Sequence, residues 1–249
     1  MYLTKVNFWK VIFNQYCYKL KSYAGSYTSL VMVQLIAILL SVGGMSHMGG
    51  GSSERFDIEV SIYSHALVLI FTMFWAFATA ILITTKAYRY EDFNFVTNRI
   101  TSNMSNILFL LTIGIIGAFT ASMSFYLNKI IALLVYDYDY IIYTTNSLAE
   151  TITGFSSTVL YIFLCGALGY LLGVLVQINR LFGFVIPALF IGELFIGASW
   201  YDYSAIVNWI SGIYTTEASF FLFVFKVLAS LIILFLASIT LSNRLEVRR

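Results

Sequence analysis

Apolar runs long enough to cross a membrane dominate the chain, and charged residues cluster between them. Four runs contain no Asp, Glu, Lys or Arg, and two more, 181–201 and 218–243, contain one each. A spanning helix needs about 20 apolar residues. The runs do not alternate apolar with polar positions, as the strands of a membrane β-barrel do. The pattern predicts an all-α membrane protein with six transmembrane helices, near 27–45, 59–83, 105–127, 152–176, 181–199 and 219–241.

Composition supports lipid as the solvent for most of this single predicted domain, residues 1–249. Apolar residues make up 60% of the chain and charged residues 10%, against about a quarter charged in soluble domains. A soluble globule of this size cannot bury so much apolar surface. The composition therefore argues against a soluble enzyme and against nucleic acid as a partner.

The charges are sorted by side, which predicts the orientation. With the N-terminus inside, cytoplasmic segments hold 11 of the 14 Lys and Arg residues, and the outer loops hold eight of the 12 acids. Basic residues favour the cytoplasmic side of a membrane. We therefore predict a multi-pass protein of the cytoplasmic membrane with both termini in the cytoplasm.

Residues 2–22, before the first span, have the pattern of an amphipathic helix lying in the membrane interface. Trp9 and Phe13 fall on an apolar stripe, and lysines are expected to meet anionic headgroups. One interpretation is a basic juxtamembrane anchor, and the other is an elbow helix of a transport machine. The candidate interfacial residues are Trp9, Lys10, Phe13, Lys19 and Lys21.

The predicted cytoplasmic link between spans 2 and 3, residues 84–103, mixes aromatics with charges of both signs. This composition is typical of a protein contact surface, although a solvated loop with aromatics in the headgroup layer is the alternative. Asp92 is placed to cap a short helix that ends at Arg99. The candidate contact residues are Tyr88, Arg89, Tyr90, Glu91, Asp92, Phe93, Phe95, Asn98 and Arg99.

The six spans, the N-terminal helix and the strings Phe93–Arg99 and Ser102–Ile107 resemble the permease subunit of a type-2, exporter-class bacterial ABC transporter, of the small Firmicute kind. The resemblance implies that residues 84–103 carry a coupling helix seated in a separate ATP-binding subunit. It also implies a second permease subunit, as a homodimer or heterodimer, and a re-entrant course for the outer segment 200–217. The chain has no Walker A loop, so ATP and Mg²⁺ are expected on the partner.

The expected function is therefore that of a permease subunit of an ATP-driven exporter, not an enzyme. The apolar spans favour an amphipathic or hydrophobic substrate such as a peptide, lipid or drug. A non-transporting immunity or sensor protein is the alternative. An intramembrane enzyme is disfavoured, because the sequence supplies neither a metal motif nor an activated nucleophile.

Ionisable residues inside spans are costly and by default suggest function. Glu193 and Lys226 lie at similar predicted depth in the antiparallel spans 5 and 6, where a salt bridge or a polar gate is expected. His65 in span 2 is expected to hydrogen-bond between helices. Gly169 and Gly173 form a G-x-x-x-G pattern, which favours close packing within the chain or dimerisation.

If Glu193 and Lys226 form a pair, removing one partner leaves a charge alone in the membrane, whereas removing both does not. We expect Glu193→Gln to lower the thermal unfolding temperature in detergent more than the Glu193→Gln/Lys226→Met double variant does. A double variant no more stable than the single variant would contradict the pairing.

Overall fold

The structure is a computed structural model that describes residues 7–43, 46–49, 59–62, 66–85, 87–88, 98–135, 147–199, 212, 214 and 219–244. These residues form seven long helices and one pair of short strands. The helices are α1 (Phe8–Ser22), α2 (Ala24–Gly43), α3 (Ala66–Thr84), α4 (Arg99–Val135), α5 (Leu148–Ile178), α6 (Phe182–Ser199) and α7 (Phe220–Arg244), and the strands are β1 (Ser46–Gly49) and β2 (Glu59–Ile62).

Five of these helices are long and apolar enough to cross a membrane, which confirms a multi-pass, helical membrane protein. They are α2, α3, α4, α5 and α7. Helix α6 occupies the predicted fifth span, 181–199, and contains the chain's one proline, Pro187. Because α6 is not among the five candidates, the count of six remains a prediction, as does the orientation.

The prediction that span 2 begins at residue 59 is wrong. Residues Glu59–Ile62 form β2, which pairs antiparallel with β1 so that Ser46 faces Ile62 and Gly49 faces Glu59. The helix begins only at Ala66. The reason is visible in the sequence Glu-Val-Ser-Ile, which alternates polar with β-branched residues as a strand does.

Helix α4 extends beyond the predicted third span, 105–127, at both ends. Its 37 residues correspond to about 55 Å of helix, against a hydrocarbon thickness of about 30 Å. The predicted link 84–103 is correspondingly too long, because Thr84 ends α3 and Arg99 already begins α4. A hydropathy pattern detects only the apolar part of such a helix.

Helix α5 is the centre of the bundle and contacts α3, α4, α6 and α7. Gly169 and Gly173 allow its closest approach, to α3. A Cβ on Gly169 would overlap the carbonyl oxygen of Phe77, and a Cβ on Gly173 would overlap the hydroxyl of Thr84. The G-x-x-x-G pattern thus serves packing within the chain.

The distribution of side chains is that of a protein solvated by lipid. Large apolar side chains point outward, with Leu39 73% exposed and Phe221 78% exposed, while polar side chains are buried. Buried Gln34, for example, donates from Nε2 to Thr72 Oγ1 (3.1 Å) and to the carbonyl of Gly117 (3.2 Å). This amide joins α2, α3 and α4 through hydrogen bonds, which hydrocarbon cannot supply.

The glycine contact has a matched control within α5. We expect Gly169→Ala to destabilise the bundle by about 1–3 kcal/mol, because the added methyl group overpacks the α3–α5 contact. In Gly166→Ala the new Cβ meets no atom within 4 Å, so its unfolding temperature in detergent should stay level or rise. Equal losses in both variants would contradict the close approach.

Candidate functional site

One end of the bundle gathers the polar side chains that flank the predicted coupling segment. We call it the Arg99 end, since α4 begins there at Arg99 and α3, α5 and α7 all end there. Helix α1 packs on α4 at the same end. The opposite end carries the β1–β2 pair and is called the hairpin end.

A chain of buried hydrogen bonds, which we call the Lys19 network, ties three helices together at the Arg99 end. Lys19 Nζ of α1 donates to Ser105 Oγ (2.8 Å) and to Asn106 Oδ1 (2.5 Å) of α4. Asn106 Nδ2 donates to the Tyr170 hydroxyl of α5 (3.2 Å), and that hydroxyl donates to Asn103 Oδ1 (2.8 Å). All five side chains are buried. Asn106 and Tyr170 each accept one of these hydrogen bonds and donate the next one.

The expectation that Lys19 meets lipid headgroups is therefore wrong. Its side chain is only 1% exposed, as is that of Gln15, one turn earlier on the same face. The apolar stripe is divided, because Trp9 is 71% and Phe13 60% exposed whereas Tyr16 and Leu20 pack against the core. Of the three candidate interfacial lysines, Lys10 and Lys21 are exposed.

Helix α1 runs beside α4 in the opposite chain direction over these contacts. Tyr16 shares a 2.8 Å hydrogen bond with Thr112, whereas Lys19, three residues later, meets Ser105 and Asn106. Asn7 starts α1 by accepting the Trp9 N–H with its side chain, a standard N-cap. The second half of α1 is thus hydrogen-bonded to α4, so this helix does not simply rest on the lipid surface.

Arg99 joins the start of α4 to the end of α7. Its Nη1 donates to the backbone carbonyl of Ser242 (3.1 Å). That carbonyl lies in the last turn of α7, where carbonyls lack partners within the helix and where cations are favoured by the helix dipole. The Arg99 side chain is half-buried, and its hydrogen bond connects the start of α4 to the end of α7.

Contacts to the bundle also hold the α3 side of the predicted coupling segment. The Tyr88 ring packs edge-on against Tyr23 with centroids 4.7 Å apart, and Tyr23 packs edge-on against Phe109 of α4 at 5.4 Å. Gln177 of α5 donates to the backbone carbonyl of Thr84, the last residue of α3. Both sides of the segment between α3 and α4 are therefore fixed to the same end of the bundle.

The remaining predicted residues are only partly described. Asn98 is exposed directly before α4, where its N–H donates to Thr101 Oγ1 (3.1 Å). Lys226 is half-buried in α7, and its carbonyl accepts the Ser230 hydroxyl. Seven predicted residues lie outside the described residues, as does the Glu193 side chain: these seven are His65, Arg89, Tyr90, Glu91, Asp92, Phe93 and Phe95.

Sequence reasoning missed the internal partners Asn103, Ser105, Asn106 and Tyr170. The available signal was the spacing of Asn103 and Asn106, three residues apart and hence on one face of α4. In the described part of the chain, Asn103 Nδ2 and both polar atoms of Gln15 are buried without hydrogen-bond partners. Such groups cost about 1–3 kcal/mol each, so this end is not optimised for stability alone.

Among the described residues, no group of three or more His, Cys, Asp or Glu side chains could hold a metal ion. No family model, curated protein or solved structure matches the chain. What the Arg99 end does must therefore be argued from its own contacts.

The Lys19 network can be tested with a second lysine of α1. We expect Lys19→Met to lower the free energy of unfolding by about 1–3 kcal/mol, because it leaves the buried Asn106 Oδ1 without its donor, whereas Ser105 keeps its bond to the Ser102 carbonyl. Lys21→Met, on the exposed side, should change it by less than about 0.5 kcal/mol. Thermal unfolding of both variants in detergent measures the difference, and equal shifts would argue against the network.

Proposed function

We propose that this chain is the membrane permease subunit of an ATP-driven exporter. It works with a second permease subunit and a separate ATP-binding subunit, in the cytoplasmic membrane, with both termini and the Arg99 end in the cytoplasm. In this proposal the chain has six spans, including α6, and forms part of a pathway for an amphipathic or hydrophobic substrate.

The observation that carries the proposal is the double attachment of the segment between α3 and α4. Tyr88 and Thr84 fix one side of it, and Arg99 fixes the other. A force applied to this segment by a partner would pass into α3, α4, α5 and α7 together. That is what a coupling element needs, since binding energy must be converted into helix movement.

Only residues 212 and 214 of the predicted re-entrant segment, 200–217, are among the described residues, and Tyr214 offers further support. The Tyr161 hydroxyl of α5 donates to the Tyr214 carbonyl (3.0 Å), and the Tyr214 hydroxyl shares a 2.8 Å bond with Ser230 of α7. Tyr161 lies about 20 Å along α5 from Leu148, and Ser230 about 15 Å along α7 from Phe220. A residue at that depth, just before α7 begins, is compatible with a re-entrant segment.

The roles of the coupling residues follow from their attachments. Tyr88 and Arg99 connect the segment to the bundle, and in this proposal the partner contacts the residues between them, of which the structure describes only Asn98. In this scheme Phe93 and Phe95 are the aromatic anchors of the contact, because aromatic side chains supply most of the affinity in such interfaces.

Co-purification of an ATP-binding subunit with this chain from native membranes tests the proposal. Phe93→Ala should weaken that association, because truncating an aromatic anchor costs about 2 kcal/mol, roughly thirtyfold in affinity. Arg99→Ala should retain most of the association, because the Arg99 guanidinium donates its hydrogen bond to α7. Phe184→Ala removes an exposed aromatic near the start of α6 and serves as the matched control.

Two results would contradict the proposal. If no ATP-binding subunit co-purifies with the natural chain, the alternative of a non-transporting immunity or sensor protein is favoured. If Phe93→Ala and Phe184→Ala retain the subunit equally well, the segment between α3 and α4 is not the contact.

A further inference from the structure

A second feature lies at the hairpin end, far along α4 from Arg99. The second half of α4 and the first half of α5 border a groove of about 500 Å³, closed at one side by Leu69 of α3. Grooves of this size hold small organic ligands. Helices α3, α4 and α5, which line the groove, are all candidate membrane spans.

The groove is mainly apolar and strongly aromatic. Its wall includes Phe119, Phe125 and Tyr126 of α4 and Phe155 of α5. Phe119 and Tyr126 are more than half exposed. The Phe125 and Tyr126 rings meet edge-on with their centroids 5.6 Å apart. Aromatic faces attract cations through their negative charge density, so this wall suits an apolar body that carries positive charge.

Four hydroxyl groups line the groove, and all but that of Tyr126 donate their hydrogens to backbone carbonyls of their own helix. Ser122 donates to the Ala118 carbonyl (2.8 Å), Thr151 to the Ser147 carbonyl (3.2 Å) and Thr158 to the Gly154 carbonyl (2.9 Å). Each of these three hydroxyls therefore offers a ligand only its oxygen lone pairs. A ligand that donates hydrogen bonds is favoured over one that accepts them.

Glu150 is the formally charged residue among the described residues that line the groove. Its Oε2 accepts the Ser147 N–H (3.0 Å) and completes the capping box that starts α5. A carboxylate has about four acceptor positions, so this bond leaves capacity for a further donor. The groove thus combines an exposed carboxylate with an apolar, aromatic floor.

We propose that this groove binds a single-chain amphiphile whose head is a protonated amine. The N–H donors of the amine meet Glu150 and the hydroxyl oxygens, and the alkyl or aromatic body packs on Phe119 and Phe155. A phospholipid is disfavoured, because its phosphate would bring negative charge close to the Glu150 carboxylate. Anionic amphiphiles are disfavoured for the same reason.

If the chain is an exporter subunit, as proposed above, the groove indicates the class of its substrate. Only the description of the amphiphile as a substrate rests on the proposed function. Binding itself depends on this chain alone. A failure to bind amines would overturn the groove assignment, whereas a failure to recruit an ATP-binding subunit would overturn the export function.

Equilibrium dialysis can measure binding to the full chain in phosphatidylcholine nanodiscs, with empty nanodiscs as the blank. The probes are dodecylammonium, neutral dodecanol and anionic dodecanoate. Dodecylammonium should bind about fivefold more tightly than dodecanol, the ratio expected for one partly exposed ion pair. Dodecanoate should bind most weakly.

Two variants locate the site. Glu150→Gln keeps the capping bond, since Gln serves in a capping box as Glu does, and should abolish the preference for the amine. Gly154→Leu puts a larger side chain at the groove, at a position where an added Cβ meets no atom within 4 Å, and should weaken amine binding at least about tenfold. Gly25→Leu, with equally open space on α2, should leave binding unchanged.

Equal binding of the three probes would overturn the proposal, because it would indicate partition into apolar surface alone. An amine preference that survives Glu150→Gln would also overturn it. Glu150→Gln provides this test even if Gly154→Leu does not fold.

Discussion

The bundle depends on the close approach of α3 and α5 at Gly169 and Gly173. In lipid, an apolar side chain gains little by exchanging hydrocarbon for another helix, so association relies on close packing and hydrogen bonds. The two glycines bring the α5 backbone onto the carbonyl of Phe77 and the side chain of Thr84. Helices α2 and α4 then pack on α3, and α6 and α7 pack on α5.

Hydrogen bonds between helices add to the packing at the two glycines, and they are concentrated at the Arg99 end. Lys19 bonds α1 to α4, Tyr170 bonds α5 to α4, and Arg99 bonds α4 to α7. Each buried polar group needs a partner because hydrocarbon provides none. Such bonds fix direction as well as distance, so they determine how the helix ends are arranged around the segment between α3 and α4.

The positions of the spanning helices could be read from the sequence because hydropathy responds directly to lipid exposure. Helix α2, for example, was expected at 27–45 and occupies Ala24–Gly43. The environment of Lys19 could not be read in this way. A stripe on a helix shows which residues share a face, but it does not show which of them meet protein: Trp9 and Phe13 are exposed, whereas Tyr16 packs against the core. The strand pair was missed because residues 59–62 continue into an apolar run.

Helix α4 connects the two ends of the molecule without a break, from Arg99 to Val135. Its first turns hold the hydrogen bond from Arg99 to α7, and its later turns form a wall of the groove. A stiff rod cannot tilt at one end while the other stays still. Suppose that a ligand in the groove prefers one tilt of α4 and thereby changes the affinity for a partner at the Arg99 end. Thermodynamic linkage then requires that the partner change the affinity for the ligand by the same factor.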